Sequence, residues 1–114
     1  MRSRESLSDR EAMELAITQA ARGIRKGQSP FGCILVRNGK VLSRAHNTVW
    51  QDCDPSAHAE VNAIRQACRR LRTIDLSGTV LYATCEPCPM CFGAAHWARI
   101  AKIVFGASIR DAAA

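Results

Sequence analysis

Apolar residues early in the chain, Met13, Ala16, Ile17, Ala20 and Ile24, recur at helical steps and mark one face of a helix. Ser8 and Glu11 stand before it in the spacing of a capping box, and Gly27 is placed to end it. Residues 31–36 and 41–46 are short apolar or alternating runs on either side of Asn38-Gly39, the dipeptide that favours a tight hairpin turn, so two antiparallel strands are expected there. Residues 47–53 are polar and without period, and read as a loop. Asp54-Pro55 then predicts a second helix with proline in its first position. On it Ala57, Val61, Ile64, Cys68 and Leu71 form one stripe, and Arg65, Arg69, Arg70 and Arg72 fall largely elsewhere as a solvated face.

Ser77-Gly78 breaks the pattern before residues 79–84, a β-branched and aromatic run that reads as a buried strand. Pro87-Cys88-Pro89 follows directly, with a third helix expected over about 88–99 and a last strand over 102–105. The order helix, strand, strand, helix, strand, helix, strand predicts an α/β fold with helices packed on a mixed sheet. A length of 114 residues with 47% hydrophobic content suits a single domain over 1–114.

The longest apolar runs, such as 33–36 and 103–105, are far below the roughly 20 residues of a membrane helix. No membrane partner is expected. The opening Met-Arg-Ser-Arg-Glu-Ser is charged with no apolar block behind it, so a cytoplasmic location is expected. Sixteen basic against ten acidic residues give a net charge of +6, and thirteen of the basic residues are arginine. That balance favours anionic partners, RNA or another single-stranded nucleic acid among them, but an ordinary solvated surface has the same arithmetic.

Six cysteines without an export signal point to reduced thiols or metal ligands rather than disulfides. His58 near the start of the second helix and Cys88 and Cys91 at the start of the third make a Cys2His set, one of those that hold catalytic zinc and leave a fourth position for water. The two thiols share a helical face at the positive end of a helix dipole, which favours their ionised form. Glu60 lies two residues beyond His58, and side chains two apart do not face each other along a helix. At a helix start, however, the Cα–Cβ bonds tilt toward the N-terminus, so Glu60 can reach solvent at the open position. Zinc lowers the pKa of such water toward about 7, and a neighbouring carboxylate then moves protons, which is equipment for hydrolysis. Cys85 extends the run to C-x-x-C-x-x-C as in a ferredoxin, but the position of a fourth ligand is Ala95. Cys85 therefore reads as a packing thiol beside the site, and Cys33, Cys53 and Cys68 as small hydrophobes.

These residues resemble the zinc nucleobase deaminases, whose signature is His-x-Glu followed by Pro-Cys-x-x-Cys. The likeness runs through Pro30-Phe31-Gly32, Asn47, Asp54-Pro55-Ser56-Ala57-His58-Ala59-Glu60, Thr84-Cys85-Glu86-Pro87-Cys88-Pro89-Met90-Cys91 and Val104-Phe105-Gly106, nearly the whole chain. It implies the cytidine deaminase-like three-layer α/β/α sandwich, with a central mixed sheet and one zinc ion between two helix N-termini. Within the superfamily the wording is similar to the branch of guanine deaminases and wobble-adenosine deaminases of transfer RNA. Trp97-Ala98-Arg99 brings it nearer the guanine enzymes, and Asn47 and the Val-Phe-Gly-Ala stretch are shared with the RNA enzymes.

The resemblance therefore implies a hydrolytic deaminase that releases ammonia, acting first on guanine to give xanthine, with transfer-RNA adenosine to inosine as the alternative. A third possibility is a zinc-binding subunit without turnover, although a purely structural site needs no Glu60. By the same likeness His58, Cys88 and Cys91 would hold zinc, and Glu60 would carry protons to a ring nitrogen and the departing amine. Asn47 would hydrogen-bond the base edge, with backbone near Ala59 and Cys88 helping to orient it. Trp97 would wall the pocket or a subunit contact unless it is simply core packing, and Asp111 would be a polar substrate contact unless it is a solvated acid. Relatives form dimers, so a homodimer is expected. They also continue past the strand near Phe105, so the C-terminal elements are expected to be shortened here.

Overall fold

The computed structural model describes residues 6–108 and 110 of the chain. Helix α1 spans Asp9–Arg25 and opens on the expected capping box: the Ser8 hydroxyl accepts from Glu11 N at 3.1 Å and Ser8 N donates to the Glu11 carboxylate at 2.9 Å. Strands β1 (Gly32–Arg37) and β2 (Lys40–His46) pair antiparallel around the two-residue turn. Asn38 and Gly39 there take φ of 54° and 75°, the left-handed pair such a turn requires. A short helix α2 (Val49–Asp52), helix α3 (Ala59–Leu71), strand β3 (Thr79–Cys85), helix α4 (Pro89–Trp97) and strand β4 (Lys102–Ala107) complete the order.

The sheet runs β2-β1-β3-β4, with β1 antiparallel to both neighbours and β3 parallel to β4. Parallel neighbours need a crossover, and α4 provides it. The central strand β1 is buried on both sides, and its alternation divides the core into two. Ile34 and Val36 join Tyr82, Ala12 and Ala16 under α1. Cys33 and Leu35 join Leu81, Ala83, Ala59, Ala63 and Ala67 beneath α3, with Ala95 of α4. The result is the three-layer α/β/α sandwich with a mixed sheet. Among the described residues no helix is long and apolar enough to cross a membrane.

The buried face of α1 keeps Ala16 and Ala20 of the expected stripe but not its isoleucines. Ile17 and Ile24 are each 55% exposed, and the helix turns Ala12, Ala16, Gln19, Ala20 and Gly23 inward instead. The cause is close approach: a Cβ on Gly32 would collide with the Ala16 carbonyl and the Ala20 backbone nitrogen, so only small side chains fit between α1 and the sheet.

Two boundaries also differ. Residues 47–53 are not wholly irregular, because Asn47 Oδ1 accepts from Val49 N at 3.0 Å and the Thr48 hydroxyl donates to Asp52 at 2.7 Å, which sets the one turn of α2. Asp54-Pro55 does not open the second helix. The Asp54 carboxylate accepts from Ser56 N at 2.8 Å and from the Ser56 hydroxyl at 2.7 Å, a turn that satisfies the side chain locally and delays α3 until Ala59. Cys53, expected to pack, is exposed in the left-handed conformation that ends α2. Helix α4 is shorter than expected and ends at Trp97.

Candidate metal centre

The N-termini of α3 and α4 meet over the ends of the central strands. His58 is the N-cap of α3 and Cys88 the N-cap of α4, both in extended backbone conformation, and neither side chain caps its own helix. Their side chains turn toward each other instead. His58 Nδ1 lies 3.6 Å from Cys88 Sγ and 3.5 Å from Cys91 Sγ. The three ligand atoms are all within 4.8 Å of one another. A tetrahedral zinc with bonds of about 2.3 Å to sulfur and about 2.0 Å to nitrogen sets those atoms about 3.5 Å apart, so the donor set fits that ion in type and spacing. Because His58 precedes the helix rather than lying on it, the difficulty of two residues two apart on one cylinder does not arise.

Glu60, in the first turn of α3, is only 8% exposed. Burial raises its carboxyl above the usual carboxylate range, while a hydrogen bond from its own backbone, the nearby His58 and a hydrogen bond with Cys91 pull it down. The Cys91 thiol, on α4, is raised by burial, then by Glu60 and Cys88 beside it. Beneath them Cys33 of β1 is wholly buried, and its thiol is raised by burial and by the same Glu60 and Cys91. Thiols raised by burial and by a neighbouring carboxylate, beside one imidazole, are the pattern a divalent cation reverses.

A cavity of about 460 Å³ opens onto this cluster. Its polar groups are Ser29, Asn47, His58, Glu60, Cys85, Glu86 and Cys88, and Phe31, Val49, Trp50 and Pro55 form the apolar wall. Asn47 is buried, and its Oδ1 is engaged by Val49 N, which leaves the amide NH2 for the cavity. Among the described residues no Lys or Arg lines it.

Of the residues singled out in the sequence, the structure therefore brings together His58, Cys88, Cys91, Glu60 and Asn47. Ala59 is wholly buried at the first helical position of α3 and packs into the core beneath α3 and α4, with no part in the cavity wall. Trp97 neither walls the cavity nor packs in the core: at the end of α4 it is 80% exposed, edge-on to His96 with ring centres 5.8 Å apart. Asp111 lies outside the described residues. Cys85 lines the cavity, with its sulfur 4.0 Å from the Ser108 carbonyl, and stands apart from the three-donor cluster. Sequence reasoning missed Trp50 and Val49, whose signal is an apolar pair inside an otherwise polar stretch.

Comparison with known proteins gives the same direction. The family described as cytidine and deoxycytidylate deaminase zinc-binding region matches residues 6–107. A guanine deaminase of Bacillus subtilis is 43% identical over 102 residues, which cover 89% of this chain and 65% of that protein. A tRNA-specific adenosine deaminase of Aquifex aeolicus is 47% identical over 95 residues, covering 83% of this chain and 63% of that protein. The chain thus spans less than two thirds of the length of these curated relatives. The X-ray structure of guanine deaminase from Bacillus subtilis superposes with a TM-score of 0.91 at 41% identity, covering 94% of this chain and 69% of that one.

Proposed function

The chain belongs to the cytidine and deoxycytidylate deaminase zinc-binding family, and from that premise we propose that it is a hydrolytic deaminase of a free purine base, guanine, releasing ammonia and xanthine. The observation that carries the choice is the cavity at the three-donor cluster. It is base-sized and apolar-walled, and among the described residues its acids are Glu60 and Glu86 and no Lys or Arg is placed there to hold a phosphodiester.

His58, Cys88 and Cys91 would hold one zinc ion, which when bound would supply a Lewis acid and water activated at neutral pH. The chain's own residues do the rest. The apolar wall of Phe31, Val49 and Trp50 takes the flat base and excludes bulk solvent. The Asn47 amide donates to a carbonyl or ring nitrogen on the base edge, held in place because its oxygen is already bound to Val49 N. Glu60, buried and raised, takes the proton of the attacking water and delivers it to the ring nitrogen beside the amino-bearing carbon. Glu60 then takes the proton of the hydroxyl now on that carbon and passes it to the amine, so that the C–N bond breaks as the carbonyl forms. One oxygen enters and one ammonia leaves.

A second reading, deamination of adenosine in transfer RNA to inosine, is favoured by the higher identity to the Aquifex aeolicus protein. A homodimer is supported by Phe92 and Trp97, 60% and 80% exposed on α4. The deciding experiment is ammonia release by zinc-loaded protein from guanine, adenine, cytosine and an anticodon stem-loop. Release from guanine alone is expected. Release from the stem-loop alone selects the second reading, and release from none, with zinc bound, leaves a zinc-binding subunit without turnover.

A further inference from the structure

The basic charge that the base-sized cavity lacks is concentrated elsewhere. A cavity of about 570 Å³ lies between the C-terminal half of α1, edge strand β2 and the outer side of α3, and Arg22, Lys26, Arg44 and Arg70 line it without any Asp or Glu among the described residues. The ion pairs among the described residues, Arg10 with Glu14 and Arg65 with Asp54, involve none of these four. Arg22 and Lys26 sit at the end of α1, where a helix dipole favours cations. That does not account for Arg44 on β2, and Arg70 on α3, whose Nη1 donates to the Leu42 carbonyl at 2.8 Å, adds like charge to the same space.

A second observation points to a ligand. Gln19 lines this cavity and is only 7% exposed, and its side-chain amide makes no hydrogen bond among the described residues while its polar atoms stay open to solvent at the cavity wall. An amide left facing a cavity in this way has its N–H donors free for an incoming acceptor. A donor held unpaired among four cations matches the chemistry of a phosphate, with three terminal oxygens for arginine forks and one for an amide N–H. The volume falls within the range of small-ligand sites and the walls are concave on three elements. We propose that this cavity binds the phosphate group of a small phosphorylated ligand, at a site separate from the base-sized cavity. The two cavities lie on opposite sides of one segment: Asn47 contributes to the base-sized cavity, and its neighbours His46 and Thr48 to the basic one.

The test uses the zinc-loaded protein at low salt, with ribose 5-phosphate as probe, unphosphorylated ribose as control, and a twelve-residue oligouridylate as the polynucleotide arm. Binding is read by calorimetry and by the Gln19 side-chain amide signal in nitrogen-15 NMR. Ribose 5-phosphate is expected to bind one to one and to shift that signal, while ribose does neither. Gln19→Leu should weaken binding several-fold and the double change Arg22→Gln with Arg44→Gln by about tenfold or more, a loss typical of charge-assisted contacts. Arg69→Gln with Arg72→Gln removes two exposed charges outside the cavity and should change affinity less than twofold. Equal weakening by both double changes would reduce the effect to net charge and overturn the site. So would binding of the oligouridylate without binding of ribose 5-phosphate, or failure of the Gln19 signal to move. None of these readouts depends on turnover, so the site and the deaminase reading stand or fall separately.

Discussion

His58 and Cys88 face each other across 3.6 Å from Nδ1 to Sγ, each the N-cap of its own helix and neither using its side chain to cap it. An N-cap side chain commonly satisfies one of the orphan N–H groups in the first turn. Two helices that leave this undone, and converge at the ends where it is undone, place two positive dipole ends around ionisable donors. The geometry stores no covalent link between α3 and α4, so an ion held there would join them.

Zinc removal should therefore loosen the fold. Protein purified without chelator is expected to carry one zinc per chain by elemental analysis, and stripping it should lower the thermal midpoint, since a ligand bound only by the native state stabilises by mass action. Cys91→Ala should lower zinc content and bring the midpoint close to that of the stripped protein. A Cys91→Ala protein with full zinc content would remove this thiol from the donor set.

Glu60→Gln keeps the shape of the side chain and removes its proton chemistry. Zinc content should be unchanged, and ammonia release from the preferred base should fall by about 10²–10⁴-fold, the usual contribution of a positioned acid–base group. An unaltered rate would mean that Glu60 carries no proton in the reaction.

The donors were legible because their chemistry is specified by residue type and local spacing: His-x-Glu and Pro-Cys-x-x-Cys keep their meaning wherever the helices begin. The start of α3 was not legible to the residue, because Asp54-Pro55 serves two local purposes equally well and only the Ser56 contacts show that the turn prevails over the helix. The inward face of α1 was hidden for a different reason. Ile17 and Ile24 are more apolar than Ala12 and Gly23, but the distance between helix and sheet is set by Gly32 on another element, and that distance admits only small residues. Trp97 joins neither the cavity wall nor the core, although an aromatic on a short helix is normally buried, because α4 turns Phe92 and Trp97 outward. The basic cavity gathers residues from α1, β2 and α3 that lie up to fifty positions apart, and no spacing in the sequence announces such a meeting.

Asn47 has two tasks that a pair of substitutions separates. Its Oδ1 accepts from Val49 N and its NH2 faces the base-sized cavity. Asn47→Asp retains the acceptor and loses the donor, so stability should hold while KM rises about tenfold, the loss of one hydrogen bond to substrate. Asn47→Ala loses both, and should add about 1 kcal/mol of destabilisation in urea unfolding from the vacated turn contact. Equal KM for the Asp variant and the parent would show that the NH2 does not touch substrate.

Tyr82 links the sheet to the start of α1, its hydroxyl donating to the Asp9 carboxylate at 2.6 Å. Burial, then the hydrogen bond and the charge of Asp9, push the phenol up to about 12 from its ordinary 10. The folded state therefore holds this proton more tightly than the unfolded chain. The stabilisation is complete below about pH 10 and is lost as pH rises through about 12. Unfolding midpoints in urea, measured for the parent and Tyr82→Phe across this window, should converge: the parent is the more stable at neutral pH and loses that advantage as the phenol ionises beside Asp9. Cysteine and arginine titrations are common to both proteins and cancel in the difference. A difference between the two midpoints that stays constant from pH 8 to pH 12, values chosen to bracket the two pKa levels, would show that the Tyr82–Asp9 bond does not hold the proton in the native state.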